Sequence, residues 1–220
     1  LSMHTVANLC KLNKALFHSD TVQAVGHYEL DLQKIKVDFI VASAHKFHGP
    51  KGVGFAFFRK GFGILPMLHG GDQEKGARSS TESVHAILGM EKALEIAHNA
   101  LQKDIAYVNG LKVFFISELK KISKEICFNG LSGDLEKSSY TILSVRFPVK
   151  NDMLLFSLDM AGIAVSGGSA CQSGSNKGSH VLAEILFDGE EDKTSIRFSF
   201  SKFTQKEDLE VTISKLKGLL

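Results

Sequence analysis

The sequence predicts an α/β protein. Short apolar, β-branched runs at 15–18, 38–42 and 52–58 read as strands, and helical spacing takes over from Ser83. Strand and helix patterns then alternate to the C-terminus, which is the α/β signature. Composition agrees: 44% apolar and 23% charged residues over 220 positions describe a folded chain. Lys+Arg minus Asp+Glu is 26 − 24 = +2, so charge gives no reason to expect nucleic acid or an anionic membrane as partner. No apolar run approaches the roughly 18 residues of a membrane span. Leu1-Ser2-Met3-His4 lacks the basic-then-apolar layout of a secretory signal. Cys10, Cys127 and Cys171 are odd in number and form no CxxC pair. A metal knuckle or disulfide framework is therefore not indicated, and a reducing, cytoplasmic setting is the default.

The elements follow in order. Leu1 to Ala7 reads as a short strand that meets Leu9-Cys10-Lys11-Leu12 with no turn residues, which suggests missing residues at the Asn8–Leu9 junction. Ala15-Leu16-Phe17-His18 is a buried strand ending at Asp20. Asp38 to Ala42 is a second, and Gly52 to Phe58 a third. Val84, Ile87, Leu88, Glu91, Leu94, Ala97 and Leu101 mark one helix face, and the helix continues in pieces to about Ile122, with an interruption at Asn109-Gly110. Beyond the Ser132-Gly133-Asp134 loop come a strand over Tyr140–Phe147 and a helix over Asn151–Met160 that ends at Ala161-Gly162. Ile163-Ala164-Val165 is a short strand leading into a Gly/Ser-rich loop, Ser166–Ser179. A helix over His180–Leu186, a strand over Ser195–Ser201 and an amphipathic helix over Gln205–Leu219 complete the chain. A boundary near residues 100–110 would separate two unequal α/β units.

Chemistry concentrates in two places. In Ser43-Ala44-His45-Lys46-Phe47-His48-Gly49-Pro50-Lys51-Gly52, a lysine follows a buried strand and precedes a Gly-rich turn. Such a lysine can serve as an amine nucleophile, although a lysine after a strand is more often a solvated loop residue. Asp20 ends the preceding strand, with Gln23 three residues on. A Schiff-base lysine and an acid for a pyridinium nitrogen are what pyridoxal 5'-phosphate (PLP) requires of a protein. The second place is Cys171, in Gly167-Gly168-Ser169-Ala170-Cys171-Gln172-Ser173-Gly174. Without large apolar neighbours it reads as a reactive exposed thiol rather than a buried one. Cys10 and Cys127 sit among Leu, Ile and Phe and read as core.

The sequence resembles the cysteine desulfurases of the NifS/IscS type, class V PLP-dependent aminotransferases of fold type I. Seven segments carry the resemblance in family order. They are His18-Ser19-Asp20-Thr21-Val22-Gln23; Ser43-Ala44-His45-Lys46 with its Gly-Pro-Lys-Gly-Val-Gly tail; His69-Gly70-Gly71-Asp72-Gln73-Glu74; Arg78-Ser79-Ser80-Thr81-Glu82-Ser83-Val84; Gly168-Ser169-Ala170-Cys171; Ser179-His180-Val181-Leu182; and Ser195-Ile196-Arg197-Phe198-Ser199.

The resemblance implies a partial PLP-binding large domain with a mostly parallel mixed sheet over residues 1–105. It also implies a small C-terminal α/β domain over 106–220 that carries the cysteine loop. Lys46 would bind the cofactor aldehyde and move protons on the substrate. Asp20 would pair with the ring nitrogen and Gln23 with the ring hydroxyl oxygen. Ser43 and His45 would bind the phosphate, and Thr81 would reach the phosphate of the second subunit in a homodimer. Asn8 would contact substrate or cofactor from a strand end. Arg197 would clamp the α-carboxylate of L-cysteine. Cys171 would take the sulfur as a persulfide, leaving alanine, and pass it to a sulfur acceptor or iron–sulfur scaffold protein.

Departures from the family pattern are the absent first third, Ser80 where Gly is usual, and Ser19 and Thr21 around Asp20. The competing readings are a selenocysteine lyase or other class V carbon–sulfur lyase, and a truncated, non-catalytic platform for sulfur acceptors.

Overall fold

The computed structural model describes residues 2–167, 179–187, 189–190 and 192–220. The chain divides into two compact units, Leu1–Gln102 and Lys103–Leu220.

The first unit opens with helix α1, Met3–Leu12. Ser2 caps it, accepting from the Thr5 amide at 3.3 Å, and Asn13 closes it on the Leu9 carbonyl. The strand expected over Leu1–Ala7 is therefore a helix, and it runs unbroken across Asn8–Leu9. The reason is the spacing of Met3, Ala7 and Cys10. On a helix they share one side, where Ala7 is buried and Met3 packs beside Ile35, Val37 and Ile40. A strand would have turned Ala7 and Cys10 to opposite faces.

Strands β1 (His18–Asp20), β2 (Phe39–Ser43) and β3 (Gly54–Phe58) form a sheet in that order. β1 and β2 are parallel, with Asp20 beside Val41, and β3 returns antiparallel to β2. One face of β2 buries Ile40 and Ala42. Ala42 packs with Val25, Ala44, Phe47 and Ala97, the last from helix α2.

Helix α2 is a single 39-residue element, Val84–Ile122, with no break at Asn109-Gly110. A mid-helix glycine costs about 1 kcal/mol. Burial of Val108, Leu111 and Phe115 around it outweighs that cost, at roughly 1.5–3 kcal/mol per large side chain.

In the second unit, β4 (Cys127–Phe128), β5 (Ile142–Arg146) and β6 (Ser195–Ser199) form an antiparallel sheet in chain order. Its apolar face carries Leu143, Val145, Ile196 and Phe198. These pack with Phe115 and Leu119 of α2, Leu154 and Leu158 of α3 (Leu154–Met160), and Leu209, Ile213 and Leu216 of α5 (Lys206–Leu219). Phe115 meets Phe198 edge-on, with ring centroids 4.9 Å apart. Helix α5 begins with a reciprocal capping box between Gln205 and Asp208. Helix α4 spans His180–Ile185, with the Ser179 hydroxyl accepting from the Leu182 amide.

Two further expectations are corrected. Ile163–Val165 is not a strand; the only pairing there, among the described residues, is an isolated bridge between Ser166 and Arg197. Cys127 is exposed and Cys10 only half-buried, so neither is a core residue. Ile126, just before β4, is fully buried, and Cys127, the first residue of β4, points out.

Candidate active site

In the first unit the expected site residues gather at the carboxyl ends of β1 and β2, where open α/β sheets place their ligands. Asp20 ends β1 and Ser43 ends β2. Since Asp20 pairs with Val41, and Ser43 lies two residues beyond Val41, the pleat puts Asp20 and Ser43 on the same face. Asp20 Oδ1 accepts from the Val22 amide at 2.9 Å, while Oδ2 accepts nothing among the described residues. Thr21 is buried and donates its hydroxyl to the Val41 carbonyl at 2.7 Å, fixing the chain just beyond Asp20. Gln23 is exposed on the turn that follows.

Directly after Ser43 the chain makes a 3-10 turn, Ala44–Phe47, closed by His48 in the left-handed region at φ 67°. Ala44 and Phe47 are buried, His45 is exposed and Lys46 half-buried. The turn thus anchors itself on two apolar side chains and lifts His45 and Lys46 off the core. His27 Nε2 lies 2.9 Å from the Lys46 carbonyl oxygen and pins the backbone of the lysine. Beside it, Gly26 has φ +79° and so little room that a Cβ there would lie 2.5 Å from the Cβ of Phe47. Lys46 Nζ makes no hydrogen bond or ion pair among the described residues. Thr81 is exposed in the segment before α2. Asn8 is exposed within α1, so the strand end on which its contact was expected does not exist.

In the second unit Arg197 is half-buried at the middle of β6, opposite Ser144 of β5. Its other edge pairs with Ser166: the Arg197 amide donates to the Ser166 carbonyl at 2.7 Å, and the Ser166 amide returns the bond at 3.2 Å. The Arg197 Nε is buried and has no partner among the described residues. A buried guanidinium N–H without an acceptor is costly, and an incoming carboxylate would satisfy it. Cys171 lies outside the described residues; the described chain stops at Gly167, one residue after the partner of Arg197.

The donor set fits PLP. Among the described residues it offers an unpaired primary amine for an aldehyde, a carboxylate oxygen without a partner for a cationic ring nitrogen, and a hydroxyl and an imidazole for phosphate oxygens. His27, which pins the lysine turn, escaped the sequence reading, and Thr21 entered it only as a departure beside Asp20. His27 acts across 19 residues, and no local spacing announces such a contact.

Comparison with known proteins gives the family. The family described as Aminotransferase class-V matches residues 2–211. A cysteine desulfurase IscS of Dictyoglomus turgidum is 38% identical over 98% of this chain and 54% of its own. A solved structure of a NifS-like protein superposes with a TM-score of 0.84 at 34% identity, covering 99% of this chain and 56% of that one. A NifS-like protein from Rickettsia africae gives the same TM-score at 28% identity, over 99% of this chain and 57% of its own. The chain spans about half the length of the curated relatives it matches. Its two sheets and connecting helix are the corresponding part of the PLP-dependent transferase fold type I, and the chain belongs to the class-V aminotransferase family.

Proposed function

We propose that this chain carries the lysine-bearing and cysteine-bearing parts of a PLP-dependent cysteine desulfurase. The observation that carries the reading is the setting of Lys46, whose backbone is pinned by His27 while its amine has no partner among the described residues, beside the carboxyl ends of a parallel strand pair. Lys46, Asp20, Gln23, Ser43 and His45 would hold PLP, with Thr81 reaching the second subunit of a homodimer. When bound, PLP supplies an aldehyde for an amine and a cationic ring that draws electrons from the substrate α-carbon.

The remaining steps belong to the chain. The Lys46 amine holds and moves protons at the substrate carbon. Asp20 keeps a proton on the ring nitrogen by countercharge. Arg197 takes the α-carboxylate of L-cysteine in a two-bond contact. The Cys171 thiolate accepts the substrate sulfur; the carbon–sulfur bond breaks, its electron pair stays with carbon and is protonated, and L-alanine leaves. The persulfide on Cys171 is then handed to an acceptor for iron–sulfur cluster assembly or tRNA thiolation, in the cytoplasm. The division at 1–105 and 106–220 assigns cofactor chemistry to one part and sulfur chemistry to the other.

Borohydride reduction of the full-length, PLP-loaded protein followed by peptide mapping tests this reading. The label should sit on Lys46; a label on another lysine, or none, refutes it. Cys171→Ala should keep the yellow colour and lose the persulfide, and undiminished persulfide would remove Cys171 from its role.

A further inference from the structure

We propose that Asn129 is a positioning residue for Arg197, a buried amide strap that locks the two strands around the carboxylate-binding guanidinium. The inference rests on the proposed role of Arg197.

Asn129 directly follows β4 and is only 5% exposed. Its backbone amide donates to the Ser144 carbonyl at 3.0 Å. Its side-chain amide donates to Ser144 Oγ at 3.0 Å and to Ser195 Oγ at 3.1 Å. Both N–H groups of that amide are therefore used, one on each strand. Ser144 is the residue paired with Arg197 across the sheet, and Ser195 lies two positions before Arg197 on the same face. The strap thus reaches the neighbour of Arg197 across the strands and its neighbour along the strand.

Arg197 needs this outside support. Its Nε has no partner among the described residues, so the strand beneath it sets the direction of its side chain. On the same face a second guanidinium competes for any carboxylate, that of Arg146, which pairs with Ser195. The strap removes this competitor as well. Arg146 is buried and occupied, with one Nη donating to Asn129 Oδ1 at 3.5 Å and the other held by Glu190 at 2.6 Å. Asn129 and Glu190 together keep Arg146 engaged, whereas Arg197 Nε has no partner among the described residues.

The test uses the full-length, PLP-loaded protein labelled with 15N-arginine, with propionate as a carboxylate probe and Arg197→Lys to assign the Arg197 Nε resonance. In the wild type, propionate should shift that resonance. Asn129→Ala should weaken the affinity about tenfold, and it should raise KM for L-cysteine more than it lowers kcat. Ser195→Ala, which removes one acceptor of the strap, should weaken it about threefold and covers the case in which Asn129→Ala does not fold. Leu216→Ala, on the apolar side of the sheet, is the structural control and should lower the melting temperature without changing propionate affinity. Wild-type affinity in both Ser195→Ala and any folded Asn129→Ala overturns the strap and leaves the Arg197 clamp standing. A wild-type Arg197 resonance that ignores propionate overturns the clamp and the strap together.

Discussion

Replacing Gly26 with alanine tests how Lys46 is held. Two costs follow from its position. At φ +79° a side chain brings left-handed strain of about 1–2 kcal/mol. The new Cβ would also sit 2.5 Å from the Cβ of Phe47, which is 2% exposed and cannot swing away without moving its backbone. Overpacking of this kind costs about 1–3 kcal/mol. The loss of unfolded-chain freedom returns roughly 0.4–1 kcal/mol. The net destabilisation is then about 1–5 kcal/mol. Because Phe47 is the next residue after Lys46, displacement of Phe47 should also lower PLP retention. Gly52→Ala serves as the reference: its φ is +80°, but nothing lies within 4 Å of a Cβ there, so only the strain remains. Urea denaturation of both variants gives the stabilities, and visible absorbance gives the bound PLP. A Gly26→Ala protein no less stable than Gly52→Ala, with full cofactor, refutes the argument that Gly26 and Phe47 fix the lysine turn.

Three other outcomes are expected. Lys112 is fully buried in α2, donating to Ser138 Oγ and the Ser139 carbonyl at 2.8 Å each. Burial holds its amine below the ordinary lysine value, with Asp134 opposing the shift. The unfolded chain therefore binds more protons between the folded value and the ordinary one, and wild-type stability gains as pH rises through that window. Lys112→Met lacks the gain and loses two hydrogen bonds, so it should be less stable by about 1–3 kcal/mol at neutral pH. The gap should widen toward pH 10 in denaturation curves; a constant or narrowing gap refutes the assignment. Arg197→Ala should keep PLP and lose about 2–5 kcal/mol of L-cysteine binding, and unchanged substrate affinity would contradict the clamp. Cys127, exposed, should be alkylated by iodoacetamide in the native protein faster than half-buried Cys10, and equal protection of both would contradict the edge position of β4.

The local setting of several candidate groups was legible before any fold was known. Lys46, Asp20, Ser43 and His45 sit at strand ends that apolar runs announce locally, and the helix face from Val84 to Leu101 follows from its spacing. The misread elements are those in which a distant partner decided between local options. Met3 and Ala7 came to share one helix side because an apolar surface around Ile35, Val37 and Ile40 receives them. Helix α2 passes through Asn109-Gly110 because the residues on either side have a core to enter. Cys127 faces outward because pairing with Arg146 sets the register of β4.

By itself, then, the sequence determined the alternation of strands and helices, the order of the family segments and the chemistry of the candidate groups, since each is written in near neighbours along the chain. Tertiary structure alone decided which of those groups are held and by what. His27 reaches Lys46 across 19 residues, and Asn129 joins Ser144 to Ser195 across 15 and 66. Such contacts exist only once sheets and helices have closed over their apolar faces, because only packing brings together polar groups that are so far apart in the chain.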